Sequence, residues 1–330
     1  MGTVWEDLVV TAEDAGSPRR IERDEDALLA PPHPGPMKLW RDHAPLTVVH
    51  FPQEYRAQPF APPRGVYESG ALRVEWQTMD NRQPFYHRNC DVDEIGFQIA
   101  GERTLMTEWG VLEHSPGDFV RLPRGLAHDN YGRKDSHLLF YTPASVAEER
   151  EPERTSAPVM PPFPGWEAGA VNEAVTSCLG AGGHDTAVFP IDERAVLDQV
   201  HREKDRLHVL RPADGYGTTP LYRSPGFRLA VVRLAATDPA ERAVYRRNLD
   251  TDEVQYQVSG TRTLITQRGV ADLGPGDFVR IPLGVAYTSV ASGDTEHIRV
   301  LSSTELPQVA ETARHADPAT PDRVAAARRA

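Results

Sequence analysis

His87, Glu94 and His128 are the side chains of this sequence whose types and spacing can do chemistry together. Two neutral imidazoles and one carboxylate form the facial set that leaves positions open on Fe(II) for oxygen and a substrate. Imidazole also suits Zn, Ni and Cu, so ligand type alone does not decide the metal. Taken singly, either histidine reads as an unrelated surface or core residue. A second copy of the same segment puts the three in context.

Residues 87–128 align without a gap onto residues 246–287, with about half the positions identical, so the chain is a tandem duplication. The first copy reads HRNCDVDEIGFQIAGERTLMTEWGVLEHSPGDFVRLPRGLAH, and the second RRNLDTDEVQYQVSGTRTLITQRGVADLGPGDFVRIPLGVAY. The copies act as controls for each other. Asn89/Asn248, Asp91/Asp250, Asp93/Asp252, Gly101/Gly260, Arg103/Arg262, Arg121/Arg280 and Pro123/Pro282 occur in both and read as parts of the fold. His87 becomes Arg246 and His128 becomes Tyr287, while Glu94 persists as Glu253. The first copy can therefore hold a metal, and the second cannot. Glu253 is either a relic of a lost site, or this glutamate also has a role in the fold, such as bonding a loop N–H.

Other residues of the first copy are candidates around such a metal. If Glu94 lies on a strand, Gly96 and Gln98 point the same way. Gln98 then faces the cavity, or serves the sheet as Gln257 would in the second copy. Gly96 makes room near the metal or marks a bulge. Trp109 replaces Arg268 and can stack on an aromatic substrate, although a core role is the plainer reading. Arg124 replaces Leu283 and can hold a substrate carboxylate in a bidentate fork, or sit solvated on its loop. Cys90 reads as a plain buried cysteine. A general base would help deprotonate a phenol, and His43, His50, His114 and His137 are available. In the second copy Arg246 is expected to pair with Glu253 and fill the former site.

Strands must position these residues. Ile95 to Ile99 and Val254 to Val258 alternate with a period of two, and Arg103 to Thr107 continues the first after a short turn. Ser115-Pro116-Gly117-Asp118 and Gly274-Pro275-Gly276-Asp277 place Pro and Gly as a type II turn requires. Phe119 to Leu122 and Phe278 to Ile281 leave those turns as strands. Many short strands with regular turns predict a small barrel or jelly roll per copy. Asp192 can cap a helix with Val196, Leu197 and Val200 on one face. The tail after Pro318 is a short terminal helix or frayed. The expected division is an irregular lead-in over 1–45, a metal-holding barrel over 46–145, a proline-rich connector over 146–190, a barrel without metal over 191–305, and a tail over 306–330.

Composition narrows the function. A net charge of −12 argues against nucleic acid as a partner. No apolar run approaches the length of a membrane span, and the acidic N-terminus lacks the form of a secretory signal. Two cysteines in 330 residues suggest free thiols in a reducing compartment, so the cytoplasm is the expected location.

The chain resembles the cupin superfamily. His87-x-Asn89, Glu94 and Gly101 are similar to its first motif, and Gly117, Pro123-x-Gly125 and His128 to its second. The usual first motif has two histidines, and Asn89 stands at the second. The likeness thus implies a three-residue set of His87, Glu94 and His128, with Asn89 as a weak ligand or supporting partner. Among bicupins the homogentisate 1,2-dioxygenase-like group is most similar, through Phe85-Tyr86-His87-Arg88-Asn89-Cys90, Thr107-Glu108-Trp109-Gly110 and Pro123-Arg124-Gly125. In that group the glutamate follows the histidine by six residues, where this chain has Asp93, and the metal barrel is the C-terminal one. The resemblance implies an all-β fold of tandem cupin (double-stranded β-helix, jelly-roll) barrels with a few short helices. It implies Fe(II), a small hydroxylated aromatic substrate and O2, with homo-oligomers, dimer or larger. The expected activity is a non-haem Fe(II) dioxygenase. Its alternatives are a non-redox isomerase or lyase using Zn, Ni or Mn, and a non-catalytic bicupin that binds a small ligand.

Overall fold

A computed structural model describes residues 2–11, 17–31, 44–57, 62–83, 85–159, 166–179 and 185–329. The architecture is all-β, two jelly-roll barrels in tandem, with short helices at Glu25–Leu29, Glu193–Leu197 and Pro321–Ala327. The period-two alternation forms the expected strands. In Asp93–Thr107, Ile95 and Phe97 face one side and Glu94 and Gln98 the other. The chain reverses at Ser115–Asp118, where the Asp118 N–H donates to Ser115 O at 3.0 Å. Gly117 there has φ +90°, which only glycine adopts without strain. The same turn recurs at Gly274–Asp277, with Gly276 at φ +91°.

In the N-terminal barrel, Asp93–Thr107 and His128–Thr142 pair antiparallel along their lengths, from Thr142↔Asp93 to His128↔Thr107. Arg73–Met79 pairs with the second half of His128–Thr142. In the C-terminal barrel, Asp252–Ser259 and Arg262–Thr266 fall in separate sheets of eight and six strands. The two barrels share one apolar core. Val74, Trp76, Ile95, Phe97, Leu138 and Phe140 from the first pack with Leu229, Val231, Val254, Tyr256, Ile298 and Val300 from the second.

The segments preceding each copy cross to the other barrel. Thr3–Val9 pairs in parallel with Val244–Asn248, and Ala170–Thr176 pairs in parallel with Phe85–Asn89. Arg19–Asp24 and Asp185–Asp192 add antiparallel neighbours, and each leads into a helix capped by its aspartate, Asp24 or Asp192. Polar anchors repeat as well. Glu6 takes Arg247 and Glu173 takes Arg88, while Tyr245 donates to Glu25 and Tyr86 to Glu193. Thr47–His50 then pairs with the strand Asp277–Ile281, and His208–Leu210 with Phe119–Leu122. Each leading arm therefore closes the other copy's barrel.

These arms lie within the expected irregular lead-in over 1–45 and the proline-rich connector over 146–190. Both contain strands whose hydrogen-bond partners lie far away in sequence, which local propensity cannot reveal. Residues 32–43, with most of the proline-rich lead-in and His43, lie outside the described residues, as do 160–165 and 180–184 of the connector. The tail is ordered. Arg314–His315 pairs with Thr47–His50, and Val324 and Ala327 are buried beside Leu28, Leu29 and Tyr245. Leu29→Ala is expected to destabilise the protein by about 2–4 kcal/mol through the cavity it leaves. Hydrogen exchange should rise first in Thr3–Val9 and Val244–Asn248. Equal loss of protection in both barrels would contradict this assignment of the arm.

Candidate metal centre

Three strands deliver the three expected ligands. His87 lies on Phe85–Asn89, Glu94 starts Asp93–Thr107, and His128 opens His128–Thr142 directly opposite His87. One donor atom from each falls within 4.8 Å of the others. His128 Nε2 is 3.6 Å from Glu94 Oε2, and the two imidazole centroids are 3.8 Å apart.

Each donor is held from behind. His128 Nδ1 lies 3.0 Å from Leu126 O, which can only accept, so Nδ1 carries the proton. Nε2 is then a bare lone pair, and it is buried without a hydrogen-bond partner. Gln83 Nε2 lies 3.0 Å from His87 Nδ1. An amide flip that brings Oε1 to that place lets Gln83 accept the Nδ1 proton and frees Nε2 for a metal. Asn89 Nδ2 donates to Glu94 Oε2 at 2.9 Å, and Asn89 Oδ1 accepts from Cys178 Sγ at 3.3 Å. Asn89 is therefore a support for the carboxylate.

Burial, reinforced by neighbouring His128, pushes the His87 pKa down to about 3. Burial alone would raise Glu94, but the neighbouring imidazoles of His128 and His87 and the Asn89 hydrogen bond hold it at about 2. At neutral pH the set thus offers a neutral imidazole and an ionised carboxylate, the forms a divalent cation requires. An orphaned buried Nε2 and this donor set fit a divalent metal. The group could bind one.

The C-terminal barrel uses up the same glutamate. Tyr287 Oη donates to both Glu253 oxygens at 2.8 and 2.7 Å, Asn248 Nδ2 donates at 2.8 Å and Gln255 Nε2 at 2.6 Å. Arg246 does not pair with Glu253 as expected; its Nε bonds Asn248 Oδ1 at 2.9 Å. Tyrosine reaches the carboxylate directly, and arginine supports the asparagine that holds it. The Asn–Glu bond common to both copies is the glutamate's structural task.

His87 and Glu94 line a cavity of about 850 Å³, together with Glu75, Gln77, Arg103, His137, Leu139 and Tyr141. The other expected site residues are elsewhere. Gln98 is buried in the sheet and bonds Asp135 Oδ1 at 2.6 Å and Ala100 O at 2.8 Å, without lining the cavity. Trp109 packs against Leu105, Leu112, Leu126 and Leu207. Arg124 is exposed on its loop and donates to Pro143 O at 2.6 Å. The structure thus places all three outside the cavity lining: Gln98 shares Glu94's face but is taken up by Asp135 and Ala100, Trp109 sits in an apolar cluster and Arg124 on an exposed loop. Cys90 is exposed rather than buried. Asp91 anchors the arm by accepting from the Cys178 and Leu179 N–H groups, and Asp93 takes Arg121 and the Arg124 N–H. Of the histidines considered as bases, His50 bonds Asp277 in the other barrel and His114 lies against Arg103. His137 does line the cavity, with Nδ1 3.0 Å from Asp135 Oδ2 and Nε2 3.2 Å from Gln77 Oε1.

Glu75 and Gln77 were not anticipated. They lie on Arg73–Met79, whose polar residues alternate with the core residues Val74 and Trp76. The register carries a signal: Trp76 pairs with Leu138 as Val231 pairs with Ile298, so Glu75 and Gln77 match Ala230 and Val232. The carboxyl of Glu75 is pushed up to about 7, by burial first and then by the charge of Glu94, against the lowering effects of Arg73 and the Tyr141 hydroxyl.

No family model matches the chain, and no curated protein matches it. Solved structures similar to it include a cupin 2 conserved barrel domain protein from Leptotrichia buccalis, at 8% identity and TM-score 0.46 over 75% of this chain and 91% of that one. A point mutant of the salicylate 1,2-dioxygenase from Pseudoaminobacter salicylatoxidans, in complex with gentisate, matches at 14% identity and TM-score 0.46, over 83% and 89%. A point mutant of the oxalate decarboxylase OxdC of Bacillus subtilis matches at 14% and 0.44, over 90% and 88%. At these values the likenesses decide neither substrate nor metal.

Proposed function

We propose that the chain is a non-haem Fe(II) dioxygenase acting on a hydroxylated aromatic of the homogentisate or gentisate class. One observation carries the reading: two imidazoles and one carboxylate converge beside a cavity large enough for a small aromatic, which His87 and Glu94 line, with the His128 Nε2 lone pair unused. Iron(II), when bound, supplies a single centre where a phenol and O2 can meet. The residues of the chain do the rest. The Leu126 carbonyl, Gln83 and Asn89 fix the three donors, so little reorganisation is needed on binding. Leu139 and Tyr141 give the cavity an apolar wall. Glu75, poised near neutrality in the same cavity, can accept the phenolic proton and return it later.

Glu75 also favours a second reading, a metal-dependent isomerase or lyase using Zn, Ni or Mn. A carboxyl poised near neutrality beside a metal moves protons without any need for oxygen. Oxygen demand separates the two. Protein loaded anaerobically with Fe(II) is expected to hold about one iron per chain and to consume oxygen when offered hydroxylated aromatics. One tightly held zinc or nickel, with no oxygen uptake after exchange to iron, would favour the non-redox enzyme. No metal under either condition would leave a binding protein.

A further inference from the structure

The two copies treat one buried arginine differently. Arg262 in the C-terminal barrel is satisfied by neutral acceptors: Nη2 donates to Gln255 Oε1 at 2.6 Å, Nε to Gln257 Oε1 at 2.7 Å and Nη1 to Ser289 Oγ at 2.8 Å. Arg103 stands at the same repeat position and is equally buried, at 3% exposure. Its surroundings no longer meet it with those acceptors. Gly96 replaces Gln255, and a Cβ at Gly96 would come within 2.8 Å of Arg103 Nη2. Gln98, at the Gln257 position, gives its amide to Asp135 and leaves Oε1 without a partner. Asn130 replaces Ser289, and its Oδ1 is unpartnered too. Among the described residues Arg103 keeps one hydrogen bond, from Nη2 to His114 Nδ1 at 2.9 Å, and its Nε has none.

A guanidinium this buried is expensive unless a partner with charge or several acceptors meets it. Arg103 lines the same cavity as His87 and Glu94. The nearby carboxylate of Asp135 is already engaged by Gln98 and His137. We propose that Arg103 is the anion-binding group of this cavity and takes a carboxylate carried by the substrate. The planar guanidinium fork matches a carboxylate in two hydrogen bonds. Leu139 and Tyr141 on the cavity wall suit an organic acid better than an inorganic anion. This rests on the metal-centre reading for where the rest of the substrate sits. It deepens that reading by assigning the residue that meets the acid group of such a substrate and so selects for it.

The test uses the full chain loaded with redox-inert Zn(II) and three probes, catechol, 2,3-dihydroxybenzoate and 3,4-dihydroxybenzoate. Their diols can reach the metal alike, so titration calorimetry isolates the extra carboxylate. The wild type should bind at least one dihydroxybenzoate about ten-fold or more tighter than catechol, the scale expected when a buried donor is met or missed. Arg103→Gln should erase the preference, keep the zinc content, and raise the thermal midpoint of the ligand-free protein. A purely structural arginine would give a lower midpoint instead. Should that variant not fold, Gly96→Gln restores the acceptor that Arg262 enjoys and should erase the preference with Arg103 still present. No preference in the wild type, or a preference surviving both substitutions, overturns the proposal. If the chain holds no zinc, the metal reading fails separately, and benzoate against benzamide in the metal-free protein puts the same question to Arg103.

Discussion

Replacing His128 with alanine is expected to take the protein from about one divalent metal per chain to none, because two ligands seldom retain what three hold open. Of the three candidate donors, His128 has its lone pair most clearly set free. Its Nδ1 proton is spent on the Leu126 carbonyl, and its Nε2 has no other partner. Burying such an atom unmet costs free energy that a metal would return. His128→Tyr is the sharper variant, because it copies the C-terminal barrel. There Tyr287 donates to both oxygens of Glu253 and settles the carboxylate with no metal. His128→Tyr should therefore bind no metal yet melt at or above the metal-free wild type. Elemental analysis and calorimetric melting measure both. Undiminished metal in either variant would remove His128 from the ligand set.

Glu75→Gln is expected to stabilise the metal-free protein above pH 7 and to leave it unchanged below about pH 4.5. The sign follows from the pKa of about 7 in the folded protein, which lies above the ordinary glutamate value. Between those limits the folded state keeps a proton that the unfolded state releases, so Glu75 costs the protein stability as pH rises. Above pH 7 the full penalty applies, about 3 kcal/mol for a shift of this size. His87 acts in the opposite sense. Its pKa lies below the usual histidine value, so its contribution is lost as pH falls from about 6.5 towards 3. The difference between variant and wild type removes this background. Denaturant titrations at pH 4, 6 and 8 suffice, and a difference that does not grow with pH would mean that Glu75 has an ordinary pKa. In metal-loaded protein the same substitution should abolish the pH dependence of turnover near neutrality.

Legibility followed the repeat. Where the copies align without a gap, comparing them located His87, Glu94 and His128, and the structure brings those three donors together. Where the alignment stops, information was lost. Glu75 and Gln77 sit upstream of the matching stretch, and only strand register shows that Ala230 and Val232 are their counterparts. Trp109 and Arg124 also differ between copies, yet they belong to an apolar cluster and an exposed loop. A difference between copies marks a changed environment, and the donor set that fits a metal is one of several that changed. Arg103 shows the converse. It is present in both copies and so read as structural, but its partners differ, and a shared residue with unshared partners escapes comparison position by position.

By itself the sequence determined the class of fold, the duplication and the asymmetry between the barrels. Those rest on period-two alternation, on glycines that turns demand, and on side-chain types at aligned positions, all of which are local. Only the tertiary structure decided that Thr3–Val9 and Ala170–Thr176 exchange barrels, that Ile95, Phe97, Val254 and Tyr256 share one core, and that Glu75 faces Glu94's cavity. Parallel pairing between segments more than two hundred residues apart, as in Trp5↔Val244, leaves no periodic trace in either strand. The partner's identity is set by burial and hydrogen bonding of the whole chain, which local alternation cannot encode.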